Sequence, residues 1–227
     1  MADTITLATL KTRARERADM ENSEFVSDTE LVSYINSSYS ALYDLLVSRF
    51  EQYYTLKSEF TVAQGSNTQA LPADFYKLEA VDFKIGSDWT TVTKWNLMDR
   101  NRRRQLLRLD YRNINPRQYR VVGNNIEFLP EDSADGDYRI WYTPRLTRLS
   151  ADTDTIDAVN GWEEYIVVDA AIKMLNKEES DVSALLIEKR ELEERIEAMA
   201  ENRDGEPEII TDLMPRAWDN DIRRWDY

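Results

Sequence analysis

Apolar residues recur at three- and four-residue steps at both ends of the chain and at two-residue steps through its middle. From Thr4 to Met20, Leu7, Leu10, Ala14 and Ala18 fall on one face, opposite Lys11, Arg13, Arg15, Glu16 and Arg17, which predicts an amphipathic helix. A polar break follows at Glu21-Asn22-Ser23-Glu24. Ser27-Asp28-Thr29-Glu30 then has the form of a capping box, with Ser27 accepting from the third helical N–H and Glu30 reaching back. The helix it opens runs to about Phe50. Leu31, Ile35, Leu42, Leu45 and Leu46 line one side, flanked by Tyr34, Tyr39 and Tyr43.

The middle alternates. Tyr54, Leu56, Ser58, Phe60 and Val62 have strand spacing, and Gln64-Gly65-Ser66-Asn67 is a turn signal. Leu71 to Tyr76 reads as a turn or single helical twist, Glu79 to Ile85 as a strand, and Trp89 to Trp95 as a further short strand. Leu97 to Leu109 reads as a basic helix. Tyr119 to Leu129 is the clearest hairpin, because Gly123-Asn124-Asn125 tolerates positive φ in a tight turn. Tyr138 to Tyr142 is another strand, stopped by Pro144, and Leu146 to Val159 reads as an acidic loop.

Two helices follow. Trp162 to Asn176 carries Tyr165, Val168, Ile172 and Leu175, with Asn160 or Asp157 as candidate caps. Asp181 to Asn202 places Val182, Leu185, Leu192, Ile196 and Met199 on a seam close to 3.5-residue spacing. The helical period ends at Arg203-Asp204-Gly205-Glu206-Pro207. Beyond it, Ile209, Ile210, Leu213, Met214, Trp218, Ile222, Trp225 and Tyr227 are spaced apolar anchors, the pattern of an arm that docks on a partner or on its own domain.

The expected fold class is therefore mainly α with a β-rich insert (α+β). A four-helix bundle is expected from both ends of the chain, residues 1–52 and 160–203. Residues 53–159 form a central β domain with a short basic helix, and residues 204–227 an extended C-terminal arm.

Composition narrows the chemistry. The 227 residues carry a formal net charge of −14, which makes the chain a poor bulk binder of DNA phosphates. The absence of Cys and His removes disulfides, thiolate or imidazole zinc sites, thiol nucleophiles and His-based triads. The N-terminus lacks a signal-peptide pattern, and no apolar run approaches the roughly 20 residues that span a bilayer. A soluble protein made in a cytoplasm is expected, with no membrane partner.

Carboxylates are too abundant to nominate a catalytic pair. Glu163 with Glu164, and Asp152 with Asp154, sit in segments that read as exposed, where no pKa is raised for acid–base work. Asp132, Asp135 and Asp137 do not follow the calcium-loop series and read as a turn. No glycine-rich phosphate loop occurs. No cofactor, metal or catalytic residue is expected, and the chain reads as a non-enzyme. Arg100, Arg102, Arg103, Arg104 and Arg108 are the sharper feature. Arginine pairs in bidentate fashion with carboxylates, so contact with a neighbouring subunit's acidic face is the first reading. A nucleic-acid-binding module acting through Arg100–Arg108, with Trp95 and Tyr111 as stacking partners, is the alternative. A hydrolase would need a buried carboxylate pair, for which only the number of acids speaks.

The order of two helices, an insert containing Leu71-Pro72-Ala73-Asp74-Phe75, and a helix opening Gly161-Trp162-Glu163-Glu164-Tyr165 resembles the head-to-tail adaptors of tailed bacteriophages. The Lys177-Glu178-Glu179-Ser180-Asp181 link, the charged final helix and the Arg203–Pro207 exit before Ile209-Ile210-Thr211-Asp212 are similar too. The resemblance implies a structural protein of the virion neck, between capsid and tail. It implies a ring, usually of twelve copies, under the phage portal protein, with the arm reaching the portal. It further implies a platform for the tail or next neck protein, and a channel through which DNA passes without sequence-specific binding.

Overall fold

The structure is a computed structural model that describes residues 4–21, 24–50, 52–96, 98, 117–129, 131 and 134–201. The first described residues form a short strand, β1 (Thr4–Thr6), where helix was expected. It pairs antiparallel with β10 (Thr155–Asp157), inside the segment expected to be an acidic loop. Helix α1 (Leu7–Arg17) starts there because Thr6 accepts from Thr9 N at 3.3 Å, and the Leu7 and Ala8 N–H groups donate to Asp154 and Asp152 carbonyls at 2.8 and 3.1 Å. Helix α2 (Asp28–Arg49) is capped by Ser27, which accepts from Glu30 N at 3.3 Å. The Glu30 carboxylate pairs with Lys177 at 2.6 Å, so its side chain serves a long-range contact.

Two four-stranded sheets fill the middle. One has the order β2 (Leu56–Val62), β9 (Gly136–Pro144), β4 (Phe75–Ile85), β5 (Asp88–Thr91). The other runs β3 (Thr68–Ala70), β8 (Asn125–Leu129), β7 (Gln118–Val122), β6 (Thr93–Lys94). The β7–β8 hairpin forms as expected, with Gly123 at φ 59° in its turn. Among the described residues the β6–β7 pair is parallel and the other pairings are antiparallel. The sheets share one core, in which the buried Tyr138 ring stacks on Phe128 at 4.0 Å and meets Phe83 at 4.9 Å.

Helices α3 (Glu164–Glu178) and α4 (Ser183–Glu201) close the described chain. Neither Asn160 nor Asp157 caps α3. Asn160 has φ 52° inside a 3₁₀ turn, and the Glu163 cap residue makes no side-chain cap bond. In α4, Ile196 is buried as the seam predicts, but Met199 is 52 % exposed and the adjacent Ala200 is buried in its place.

The expected mainly α fold, a four-helix bundle with a central β domain, is overturned. The described residues hold ten strands in three sheets beside four α-helices, a β-rich chain. The helical core is not a closed bundle. Val26, Leu149, Ile156 and Trp162, from loops and from β10, enter it with the helix residues. α3 is buried at Tyr165, Ile166, Val167, Val168, Ala170, Ala171, Ile172 and Met174, around most of its circumference. Bundle helices bury a stripe; a central helix buries nearly every side. The expectation failed because the β1–β10 pairing joins residues 150 positions apart, and a local period carries no trace of such a contact.

Aromatic side chains join the helices to the sheets. Tyr43 of α2 stacks on Tyr54 at 4.4 Å, and its hydroxyl donates to the Pro144 carbonyl at the end of β9. Tyr53 donates to Asp157 at 2.9 Å and packs near Trp162. Burial pushes the Tyr43 phenol up to about 12.

Gly136 tests the packing of the β core. It has φ 129°, and a Cβ there would lie 2.7 Å from the Phe83 ring. Gly136→Ala should lower stability by about 1–3 kcal/mol in a urea or thermal melt, because both ring and backbone must shift.

Candidate functional site

The basic residues of α1 are matched within the chain. Arg13 pairs with Glu163 at 3.2 Å and with Glu164, and Arg17 pairs with Glu188 of α4. Arg15 and Lys11 converge on Asp28 at 2.8 and 3.2 Å, and Lys11 also meets Asp152 at 2.7 Å. Hydrogen bonds from Arg15 and Lys11 hold the Asp28 carboxyl below its ordinary value. Glu163 and Glu164 are not the exposed carboxylates that their segment suggested. The Arg13 guanidinium draws them in, leaving their side chains 12 % and 25 % exposed. Asp154 accepts from the Ser150 and Ala151 N–H groups at 2.7 and 2.9 Å, which holds its carboxyl low and makes it a loop clasp.

A second charged knot ties α3 to α4 and α2. Asp169, 8 % exposed at its side chain, meets Lys173 at 2.7 Å and Lys189 at 2.9 Å. Lys173 also donates to Ser38 of α2 at 3.0 Å. Burial alone would raise the Asp169 pKa, but the two lysines outweigh it and hold the carboxyl below the ordinary range. The β region has a parallel device. Asp82 accepts from Arg139 Nε at 2.8 Å, Trp141 Nε1 at 2.9 Å and Thr91 at 3.1 Å, while Arg139 stacks 4.4 Å from the Trp89 ring centre. Both carboxylates are fully occupied as staples. Among the described residues no group of acidic side chains is placed to hold a metal ion.

Two adjacent apolar residues are open on α4. Leu186 and Ile187 are 50 % and 62 % exposed, although Leu185 beside them packs on the helical core. At 100° per residue, three successive apolar residues cannot all face inward, so this exposure was legible in Leu185-Leu186-Ile187. Asp169 and Lys173, four apart on an otherwise apolar helix, were the legible sign of the buried knot. The sequence reading missed both. A polar groove of about 570 Å³ also runs between α2 and the 148–150 loop, walled by Thr29, Ser33, Asn36, Ser37, Ser40 and Arg148.

The contact residues singled out from sequence fall elsewhere. Ile209, Ile210, Leu213, Met214, Trp218, Ile222, Trp225 and Tyr227 lie outside the described residues, as do Arg100, Arg102, Arg103, Arg104 and Arg108. Asp132 is outside them too, whereas Asp137 accepts from Thr61 at 2.7 Å across the β2–β9 pair. No helix among the described residues is long and apolar enough to cross a membrane.

The described residues thus offer internal ion pairs that stabilise the fold and an exposed apolar step that another protein could cover. The chain belongs to the SU10 adaptor protein family, whose model matches residues 5–213. The match bears out the resemblance to phage head-to-tail adaptors and makes the chain a phage adaptor protein of structural type. No curated protein matches it.

Asp169→Ala should cost about 2–3 kcal/mol, less than the ~3–5 kcal/mol of breaking a fully buried pair, because both lysines are about a quarter exposed. The sign of the pH dependence follows from the lowered pKa. The Asp169 contribution is complete above the unfolded-state pKa of about 4, and disappears as pH falls through the lower folded-state value. Denaturation followed from pH 7 to pH 2 should show this acid loss in the native chain and a flatter profile in Asp169→Asn.

Proposed function

We propose that the chain is a head-to-tail adaptor of the virion neck that assembles as a ring, of twelve copies as the resemblance implies, beneath the phage portal protein. The observation that carries this reading is the family match over nearly the whole chain. Helical residues 1–52 and 160–203 make the contacts between copies. The β-rich residues 53–159 offer the platform toward the tail or next neck protein, and residues 204–227 are the arm that docks on the portal. The apolar spacing from Ile209 to Tyr227 supports the last assignment, since a plain linker has no use for two tryptophans. Arg100, Arg102, Arg103, Arg104 and Arg108 touch a neighbouring copy.

A net charge of −14 suits a protein that extends a DNA channel, because an acidic wall keeps the passing duplex from adhering. The same charge speaks against the rival nucleic-acid-binding reading. The rival predicts duplex affinity that falls steeply with salt, so a gel-shift series at two salt concentrations separates the two readings.

Mixing the chain with the portal protein of the same phage should add a ring of density beneath the portal in electron micrographs. No added density would overturn the reading. Removing residues 206–227 should abolish portal binding while leaving the thermal midpoint of the body within a few degrees. Trp218→Ala or Trp225→Ala should each weaken binding by roughly 2 kcal/mol, about thirtyfold, if that side chain is an anchor. A truncated chain that binds as tightly as the full chain would refute the arm assignment.

A further inference from the structure

The helical layer has an imbalance of charge that points to a specific partner. Lys11, Arg13, Arg15, Arg17, Arg49 and Lys177 are all ion-paired within the chain. Lys173 and Lys189 are held by Asp169. The acids are not matched one for one. Glu178, Glu179, Asp181 and Glu191 are exposed around the α3–α4 corner and along α4, and no ion pair to them is formed among the described residues.

The exposed apolar residues lie on this same surface. Leu185, Lys189 and Ile196 mark the inward side of α4, since Leu185 packs on the core, Lys189 reaches Asp169 and Ile196 is buried. With 3.6 residues per turn, Ile187, Glu191 and Glu194 then project away from the body, with Leu186 on the flank. The outer face of α4 is thus an apolar step, 50–62 % exposed at Leu186 and Ile187, bordered by Glu191, which forms no ion pair among the described residues, and by Glu194, which shares its charge with Arg190 at 3.2 Å. A well-matched occupant would be basic and apolar together.

One stretch of that chemistry lies in sequence between β6 and β7. Residues 99–116, outside the described residues, hold six arginines, Arg100, Arg102, Arg103, Arg104, Arg108 and Arg112, against two acids, Asp99 and Asp110. Leu106, Leu107 and Leu109 are interleaved with them. The stretch leaves and re-enters at β6 and β7, strands of the β core, which shares no residue with the core that holds α4.

We infer that the outer face of α4 is the seat for residues 99–116 of a neighbouring copy, Leu186 and Ile187 receiving leucines while Glu191 and the corner acids receive arginines. This rests on the ring reading above and deepens it by naming both halves of a head-to-tail contact, in which each copy presents two different faces. Bidentate arginine–carboxylate pairing sets the register, and the apolar step supplies the burial.

Because the native chain has no cysteine, cross-linking can test the contact without background. Ile187→Cys, at an exposed position, and Leu107→Cys are made in separately tagged chains, co-assembled into phage necks and treated with a short bis-maleimide. A product carrying both tags is expected. It should fall at least fivefold when Glu191→Arg and Glu194→Arg are added to the Ile187→Cys chain. It should return when Arg102→Glu and Arg103→Glu are added to the other chain. Necks that contain both tags but yield no two-tag product would overturn the inference and leave the adaptor reading standing. So would a Leu107→Cys/Ile187→Cys double variant that links only within one chain. Chains that enter no neck at all would sink both.

Discussion

A helix buried on nearly every side must be covered from several directions, and α3 is such a helix. Its apolar residues face α1, α2 and α4, while Trp162 and the β10 segment close the end where it begins. Of the two charged groups near its middle, Asp169 is buried and needs a partner there. Lys173 from the same helix and Lys189 from α4 provide it. That pairing fixes the rotation of α4 about its axis, with Leu185 and Ile196 inward and Ile187 outward. The side of α4 left exposed follows from that pairing together with the inward packing of Leu185, Ile196 and Ala200.

The β region is organised by the same logic around an aromatic centre. Tyr138 is fully buried between two sheets, and its hydroxyl donates to the Ala134 carbonyl at 2.9 Å. On the opposite face of its sheet, Asp82 gathers Arg139, Trp141 and Thr91 from neighbouring strands. Tyr43, Tyr53 and Tyr54 link the helical and β parts through ring contacts and two phenolic hydrogen bonds.

Much of this order was legible along the chain. The Ser27 cap, the α2 stripe, the Gly123 hairpin and the amphipathic α4 are local devices, and each forms where its residues predict. The contacts that changed the architecture are not local. β1 finds its partner in Thr155–Asp157, Arg13 finds Glu163 and Glu164, and Glu30 turns from its capping box to Lys177. The basic stripe of α1 read as the polar face of an amphipathic helix; in the folded chain those charges meet acids from far along the sequence.

What the sequence determined by itself was the class of protein and the chemistry open to it. Without Cys or His, and with a net charge of −14, the chain had few routes to a reactive site, while its ordered motifs resembled an adaptor of the family it belongs to. Tertiary structure alone decided which charges are matched internally and which remain for a partner. The physical reason is range: periodicity and capping act within a few residues, whereas a buried ion pair or a strand pairing depends on which distant segments the shared core brings into contact.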